Sequence, residues 1–539
     1  MKLETLDKDV QSIQEARILA RRGKVAADEL RNFTEEQIDR ILRSMVKRAL
    51  DNVVVLSKMA VEETGFGKVE DKVFKNYLAC QFVYNYIKDL KTIGVIEQDT
   101  INKVTSVAEP MGLVMGIVPS TNPTSTAIYK SMIAIKARDA IVFSPHPSAF
   151  RCTKLAIDLM AQAAEEAGAP RNTIQCIETP TMEATDELMH APEVSMIIAT
   201  GGPGMVKAAY SAGKPALGVG AGNSPSYIER SADIRKSVSD IINSKTFDYG
   251  TICASEQSVV VDRCISEQVI AEFKAQGGYF MTPEEVKKVC QLLFKKGTSM
   301  NAKFVGKSAQ YIADAAGIKI PEGTKVLLGR QEGVGEEYPL SYEKLTTVLA
   351  FYIVEDCKEA CDLSYKLLKN GMGHTMNVHT ENSEVVKAFS VKPASRILIN
   401  VGGSQGGTGM CSGLAPAFTL GCGTCGGSAT SENVSPMQLI NIKKVVHQIR
   451  TVDNLLQVNP KLKQLLDEVK NGTPCTPVSS CCTSANSGAT LESMIAGGNQ
   501  SSISVGCCTG NNRPADPAIN HISETDLRKI VSEIAKNLH

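Results

Sequence analysis

The sequence predicts an α/β fold built on a doubly wound, largely parallel sheet. Three observations carry that expectation. Short apolar runs such as Leu113-Val114-Met115-Gly116-Ile117-Val118, closed by Pro119, have the length and continuity of strands buried on both faces. Stretches with apolar residues at helical spacing separate these runs. The two kinds of segment alternate along the chain, as βαβ units do.

The order of elements follows from the same signals. The first ninety or so residues read as helices. Phe33-Thr34-Glu35-Glu36-Gln37 places a Thr N-cap three residues before Gln37, and Ile38, Ile41, Leu42 and Met45 follow at helical spacing. After the strand at 113–118, a helix runs through Ile128, Met132 and Ile135. Ala140-Ile141-Val142-Phe143 is the next strand, stopped by Ser144-Pro145-His146-Pro147. A helix near 153–167 precedes the strand Ser195-Met196-Ile197-Ile198-Ala199-Thr200, which enters Gly201-Gly202-Pro203-Gly204 and a helix at 205–212. A second α/β region begins near Ala232 and continues to about residue 430. From Asn471 to about Asp516 the chain is rich in Ser, Gly, Asn, Thr and Cys, a linker composition. Helical periodicity returns at 523–539.

Composition limits the function. At 539 residues the chain is expected to hold two or three domains. Hydrophobic residues make up 43% and charged residues 22%, as in soluble globular proteins. Lys plus Arg and Asp plus Glu balance at 58 each, which argues against nucleic acid or an anionic membrane as partner. No apolar run is long enough to span a bilayer, and the charged first residues lack a signal-peptide core. In that setting the 16 cysteines read as reduced thiols.

Several residues stand out as chemistry. Cys253 lies in Phe247-Asp248-Tyr249-Gly250-Thr251-Ile252-Cys253-Ala254-Ser255, between a glycine turn and small polar residues. Alone it is equally a small buried hydrophobe. Asn122, in Pro119-Ser120-Thr121-Asn122-Pro123, follows a strand C-terminus, where α/β folds place ligand groups. Its amide suits an oxyanion, and it also suits a turn. The Thr200–Gly204 turn would let a pyrophosphate approach a helix N-terminus, and is equally an ordinary βα turn. Cys422-Gly423-Thr424-Cys425 has C-x-x-C spacing, but no second Cys/His pair stands nearby to complete a zinc site. His374 could move a proton or simply hold a loop.

Taken together the motifs resemble the aldehyde dehydrogenase superfamily in order and spacing: Glu109-Pro110-Met111-Gly112, Pro119–Pro123, Thr200–Gly204, Gly220-Ala221-Gly222-Asn223-Ser224-Pro225, Gly250–Cys253 and Glu343-Lys344-Leu345. The resemblance covers about residues 5–455. Thr121–Thr126, Gly371-Met372-Gly373-His374-Thr375, Gly403–Gly407 and Leu414–Gly423 resemble the CoA-acylating branch, nearest the propionaldehyde and acetaldehyde dehydrogenases of bacterial microcompartments. The bifunctional aldehyde-alcohol dehydrogenases share this half, and the chain is too short for their metal-dependent second half.

That resemblance implies a Rossmann-like cofactor domain (1–92 and 112–226), an oligomerisation arm (93–111 and 431–455) and an α/β catalytic domain (227–430). A flexible linker (471–516) and an amphipathic targeting helix (522–539) would follow. It implies NAD as cofactor and coenzyme A as co-substrate. Cys253 would be the nucleophile, Asn122 the oxyanion donor and His374 an assisting group. Pro119, Ser120, Ser144, Pro145, His146, Thr200, Gly201, Gly202, Val219, Gly220, Glu343 and Leu345 would hold the cofactor, and no metal is expected. The general-base glutamate of hydrolytic members falls at Val219, and their Lys and Glu for the adenosine ribose fall at Ser144 and Pro147. The expected reaction is therefore acyl transfer from Cys253 to CoA, with propionaldehyde ahead of acetaldehyde. Release of a free acid, or a catalytically idle shell-organising scaffold, are the alternatives. The implied setting is a homodimer or homotetramer inside a microcompartment of the bacterial cytoplasm, with a shell protein bound to the C-terminal helix.

Overall fold

A computed structural model describes residues 7–295 and 298–471. The described residues fall into two units that divide between Arg450 and Thr451. In chain order the strands are β1 (Gly94–Asp99), β2 (Val104–Pro110), β3 (Leu113–Val118), β4 (Ala140–Pro145), β5 (Ile174–Cys176), β6 (Val194–Thr200), β7 (Ala216–Val219), β8 (Ser224–Ile228), β9 (Glu256–Asp262), β10 (Gly278–Phe280), β11 (Val326–Arg330), β12 (Val348–Val354), β13 (Gly373–His379), β14 (Ala394–Ile399) and β15 (Ile440–Val446).

Strands β3 to β7 make a five-stranded parallel sheet in the order β5-β4-β3-β6-β7. The order reverses between β3 and β6, which opens a crevice beyond the carboxyl ends of those two strands. The apolar run at 113–118 is continuous because both faces are covered. Val114 and Val118 pack with Ile128, Met132 and Ile38, while Leu113, Met115 and Ile117 pack with Ala16, Ala20 and Leu188. Neighbouring residues on a strand point to opposite faces, so a doubly covered strand has no polar side.

The helices fall where the periodicity places them, at Lys8–Leu30, Glu35–Thr64, Pro123–Lys136, Phe150–Glu166 and Pro203–Ser211. Thr34 and Gln37 close a reciprocal capping box at the start of the second, a feature worth about 1 kcal/mol. The strand expected at 140–143 runs on to Pro145, which pairs with Val118. A proline is tolerated at this last position because no further ladder bond is asked of it.

A second parallel sheet has seven strands in the order β10-β11-β12-β9-β8-β13-β14. It begins earlier than the sequence suggests. β8 starts at Ser224 and lies between β9 and β13, so the second α/β region opens before Ala232 and before 227. Pro225 and two serines disguise β8 as a turn, yet Ser224 to Ile228 are buried throughout.

β1, β2 and β15 form a separate antiparallel sheet. The two segments expected to make an arm thus pair with each other. The second unit begins at residue 451, inside the 431–455 segment. Its described residues form the helices Val452–Val458 and Pro460–Lys470. Beyond Asn471, the expected linker and the helix at 522–539 lie outside the described residues. No helix among the described residues is long and apolar enough to cross a membrane.

Candidate active site

The loop that carries Cys253 is built around a buried carboxylate. Past the helix Ile234–Thr246 the backbone turns left-handed at three successive residues, Asp248 (φ 49°), Tyr249 (φ 51°) and Gly250 (φ 76°). Residues with a β-carbon avoid that region, so Asp248 and Tyr249 must be held there by their surroundings. The Asp248 carboxylate accepts bonds from Lys72 Nζ at 2.7 Å, from Lys75 Nζ, from Thr251 Oγ1 at 2.7 Å and from the Lys68 N–H at 2.9 Å. The Asp248 N–H in turn donates to Asp71 Oδ2 at 2.7 Å. Burial works to raise this carboxyl, but the two ammonium groups outweigh it and hold it below the ordinary value. A β-carbon at Gly67 would collide with the same carboxylate, so glycine is what lets that turn close on it.

Asn122 sits directly before the helix Pro123–Lys136. Its Nδ2 lies 3.3 Å from the Thr251 carbonyl and 3.2 Å from Thr121 Oγ1, while its Oδ1 accepts from Lys75 Nζ at 2.6 Å. The predicted nucleophile loop and the predicted oxyanion donor therefore meet, and Lys75 joins them.

His374 enters from β13, buried, with Nδ1 2.8 Å from Thr375 Oγ1 and no hydrogen-bond partner for Nε2 among the described residues. Between His374 and Cys253 lies Gly222, where a β-carbon would collide with the Cys253 carbonyl oxygen and stand 3.3 Å from His374 Cγ. The Gly222 N–H donates to Glu343 Oε1 at 2.9 Å, which brings Glu343 to the same turn. Arg396, buried on β14, donates to the carbonyls of His374 (3.1 Å) and Gly421 (2.7 Å) and to Thr375 Oγ1 (3.2 Å).

The electrostatics around Cys253 mostly oppose a thiolate. Burial, with Glu343 and Cys422 adding to it, pushes the thiol up to about 12, and Arg396 is the cation that opposes them. Burial likewise brings Glu343 up to about 7 against its bond from Gly222. Burial and then the Arg396 charge hold His374 well below the usual imidazole range, so it stands neutral.

The residues predicted to hold a cofactor gather at the carboxyl ends of the five-stranded sheet. Pro119 and Ser120 follow β3, Ser144 and Pro145 end β4 with His146 next, and Thr200 ends β6 before Gly201 and Gly202. Val219 ends β7, paired with Thr200 and buried, and Gly220 follows. Gly202, Gly204 and Gly220 face open space where a β-carbon would point. No side chain caps the helix Pro203–Ser211 that starts there. That cradle fits a pyrophosphate, whose charge would meet the positive end of the helix dipole. Ser144 differs from the expectation in one respect, because its hydroxyl is buried and already paired with Thr185 Oγ1 at 2.8 Å. Leu345 is partly buried, with its N–H 3.2 Å from Met300 Sδ.

A cleft of 520 Å³ opens beside Gly220 and Ala221, with Lys207, Tyr210, Lys369 and Cys422 among its walls. The Cys422–Cys425 segment is a turn with positive φ at Gly423 (61°), and its first thiol is buried and its second exposed.

Lys72, Lys75, Asp248 and Arg396 were not predicted as site residues. Lysines on an amphipathic helix read as a solvated face, and only three-dimensional closure shows them buried. The one available signal was Asp248 inside the nucleophile loop itself.

The model of the aldehyde dehydrogenase family matches residues 6–341. The bifunctional aldehyde-alcohol dehydrogenase of Escherichia coli strain K12 is 47% identical over 454 residues, 83% of this chain and 50% of that one. The chain thus spans about half the length of the curated relatives it matches first. An acetylating aldehyde dehydrogenase from Geobacillus thermoglucosidasius superposes with a TM-score of 0.81 at 53% identity, covering 83% of this chain and 99% of that one. A Rhodopseudomonas palustris propionaldehyde dehydrogenase with bound propionyl-CoA gives 0.73 at 28% identity, covering 80% and 94%. With the motif order, the two parallel sheets and these matches in agreement, the chain belongs to the aldehyde dehydrogenase family.

Proposed function

We propose that the protein oxidises a short-chain aldehyde with NAD+ and passes the acyl group to coenzyme A, giving acyl-CoA, NADH and a proton. The observation that carries this reading is Val219, buried and apolar at the end of β7, at the position where the motif resemblance puts the general-base carboxylate of hydrolytic members. An acyl group on Cys253 then lacks that base to activate water and waits for a second thiol.

In this reading the Cys253 thiolate attacks the aldehyde carbon, forming a C–S bond and an oxyanion. Asn122 Nδ2 and the Cys253 N–H meet that oxygen, and their fixed dipoles stabilise charge that exists only during reaction. NAD, when bound, supplies the hydride acceptor, held at Thr200–Gly202, Gly220 and Glu343. The thioacyl group stays on Cys253 until the CoA sulfur displaces it and the Cys253 thiolate is restored. One thioester replaces another, so the step is reversible. Lys207 and Lys369, at the 520 Å³ cleft, suit the phosphates of CoA. CoA would attack as its thiolate, its proton having gone to solvent, and His374, held neutral and with no partner for Nε2 among the described residues, could orient the thioester.

The substrate is read as propionaldehyde, with acetaldehyde next, supported by the motif resemblance and by the Rhodopseudomonas relative. The same resemblance supports a homodimer or homotetramer joined through the β1-β2-β15 arm, and residence in a microcompartment lumen.

The test follows NADH with a panel of aldehydes, with and without CoA. Without CoA, release should stop near about one equivalent per active site, and CoA should restore steady ping-pong turnover. Steady production of free acid at a comparable rate without CoA would overturn the reading. Val219→Glu is the complementary probe and should raise hydrolysis.

A further inference from the structure

We propose that Lys75 is the positioning residue of this site, on the acylating reading above: its ammonium fixes the Asn122 amide with Nδ2 toward the Cys253 loop, and loss of its proton releases that amide. An ammonium has three N–H donors and no acceptor. Three acceptors surround Lys75 Nζ, namely Asn122 Oδ1 at 2.6 Å, Thr251 Oγ1 at 2.8 Å and Asp248 Oδ2. Donors and acceptors match one for one. Thr251 gives its own proton to Asp248 Oδ2 at 2.7 Å, so Lys75 meets the hydroxyl's lone pair.

The consequence falls on Asn122. With Oδ1 pinned to a cation, the amide nitrogen must face the other way, toward the Thr251 carbonyl beside Cys253. A flipped amide would set its NH2 against the ammonium and present an oxygen to the developing oxyanion. Both are repulsive, so the charge on Lys75 selects the productive orientation.

The surroundings make that charge conditional. Lys75 is 1% exposed. From the nucleophile loop it faces Asp248, Thr251 and the Phe247 ring, 5.7 Å from Nζ. From its own helix, Val69–Tyr77, it feels Lys72 and Asp71. Lys72 is itself tied to Asp248 and to the Thr121 carbonyl at 3.1 Å. Burial, with Lys72 adding to it against Asp248, brings Lys75 down to about 8. A neutral amine keeps two N–H groups for three acceptors and gains a lone pair that can accept from the amide. Raising the pH through that value should therefore cost oxyanion stabilisation. Thiolate formation at Cys253 changes the opposite way, since it grows with pH.

The experiment measures two rates across about pH 6.5 to 9.5. One is the pre-steady-state NADH burst with aldehyde and NAD but no CoA. The other is alkylation of Cys253 by iodoacetamide, which needs no oxyanion donor. Alkylation should climb throughout, while the burst rate stops climbing near pH 8, where loss of the Lys75 proton begins to offset the gain in Cys253 thiolate. Lys75→Arg, which cannot lose its proton in this range, should let the burst rate climb with alkylation to the top of the range even if the burst slows. Lys75→Met should slow the burst by about 10²-fold, as loss of an oxyanion donor does, with alkylation within about threefold. In an Asn122→Ala background it should add no further loss. The proposal is overturned if Lys75→Arg leaves the levelling near pH 8 in place, or if the Lys75→Met and Asn122→Ala losses multiply. Should Lys75→Met not fold, the Lys75→Arg profile decides alone. Failure of the acylating reading is separate, since it would show in the wild-type protein as turnover indifferent to CoA.

Discussion

Gly222 packs so closely on Cys253 that a β-carbon there would collide with the Cys253 carbonyl oxygen, while the imidazole of His374 closes the other side at 3.3 Å. The contact is backbone against backbone, so no rotamer change can relieve it. Gly222→Ala should push the nucleophile loop away from Asn122. Displacements of about 1 Å at a reacting centre cost on the order of 10² in rate, and that loss in steady-state NADH production is the expected result. Circular dichroism should remain that of the parent. A fully active alanine variant would mean that the turn and the loop are not held as described.

Removing the two groups proposed to touch the substrate gives the most direct check. Cys253→Ala should abolish NADH formation and leave NAD binding intact, because it deletes the covalent acceptor. Asn122→Ala should cost about 10²–10³ in turnover, the usual effect of losing an oxyanion donor. A Cys253 variant with even about a tenth of wild-type turnover would refute the nucleophile, since nucleophiles are not partly dispensable.

The charge on Glu343 should be readable through Cys253. The thiol stands at about 12 because of burial first and Glu343 next. Its pKa is raised, so thiolate accumulates only as pH rises, and alkylation of the free protein should show no plateau near the ordinary thiol value of about 8.5. Glu343→Gln keeps an acceptor for the Gly222 N–H and removes the charge, which lowers the Cys253 pKa. Glu343 is itself ionised only above about 7. The variant should therefore alkylate several-fold faster than wild type above that pH, and the gap should close below it. A slower variant above pH 7 would reverse the assigned sign.

Much of the fold was legible because its signals are local. The Thr34–Gln37 box, the two-sided apolar run at 113–118 and the glycine turn after Thr200 each appear as structure where the sequence places them. β8 was missed because its burial comes from neighbours, β9 and β13, that the residues Ser224-Pro225-Ser226 do not announce. The site divides in the same way. Cys253 and Asn122 lie in short motifs, whereas Lys75 reaches Asp248 across 173 residues of sequence. A buried lysine is spelled like a solvated one, and only its partners distinguish them. Arg396 is hidden for the same reason, its hydrogen-bond acceptors being backbone carbonyls and small polar side chains contributed by distant segments.

The last prediction concerns 523–539, outside the described residues, and it rests on sequence. Ser523-Glu524-Thr525-Asp526 offers an N-cap followed by acidic residues suited to a helix first turn. Ile522 and Leu527 are spaced as a hydrophobic staple. Leu527, Ile530, Val531, Ile534, Ala535 and Leu538 share one face at helical spacing, opposite Arg528, Lys529, Glu533 and Lys536. A helix of this length is marginal alone in water and gains stability by laying its apolar stripe on a partner. We infer that the partner is a microcompartment shell protein, reached across the polar stretch before it. Deleting 523–539 should leave aldehyde oxidation by the purified enzyme within about twofold, as expected of a segment that serves only to dock. A fluorescent protein carrying only these residues should collect at shells when the two are co-expressed. Loss of activity on deletion, with a fusion spread evenly through the cell, would instead mean that the segment packs on its own enzyme.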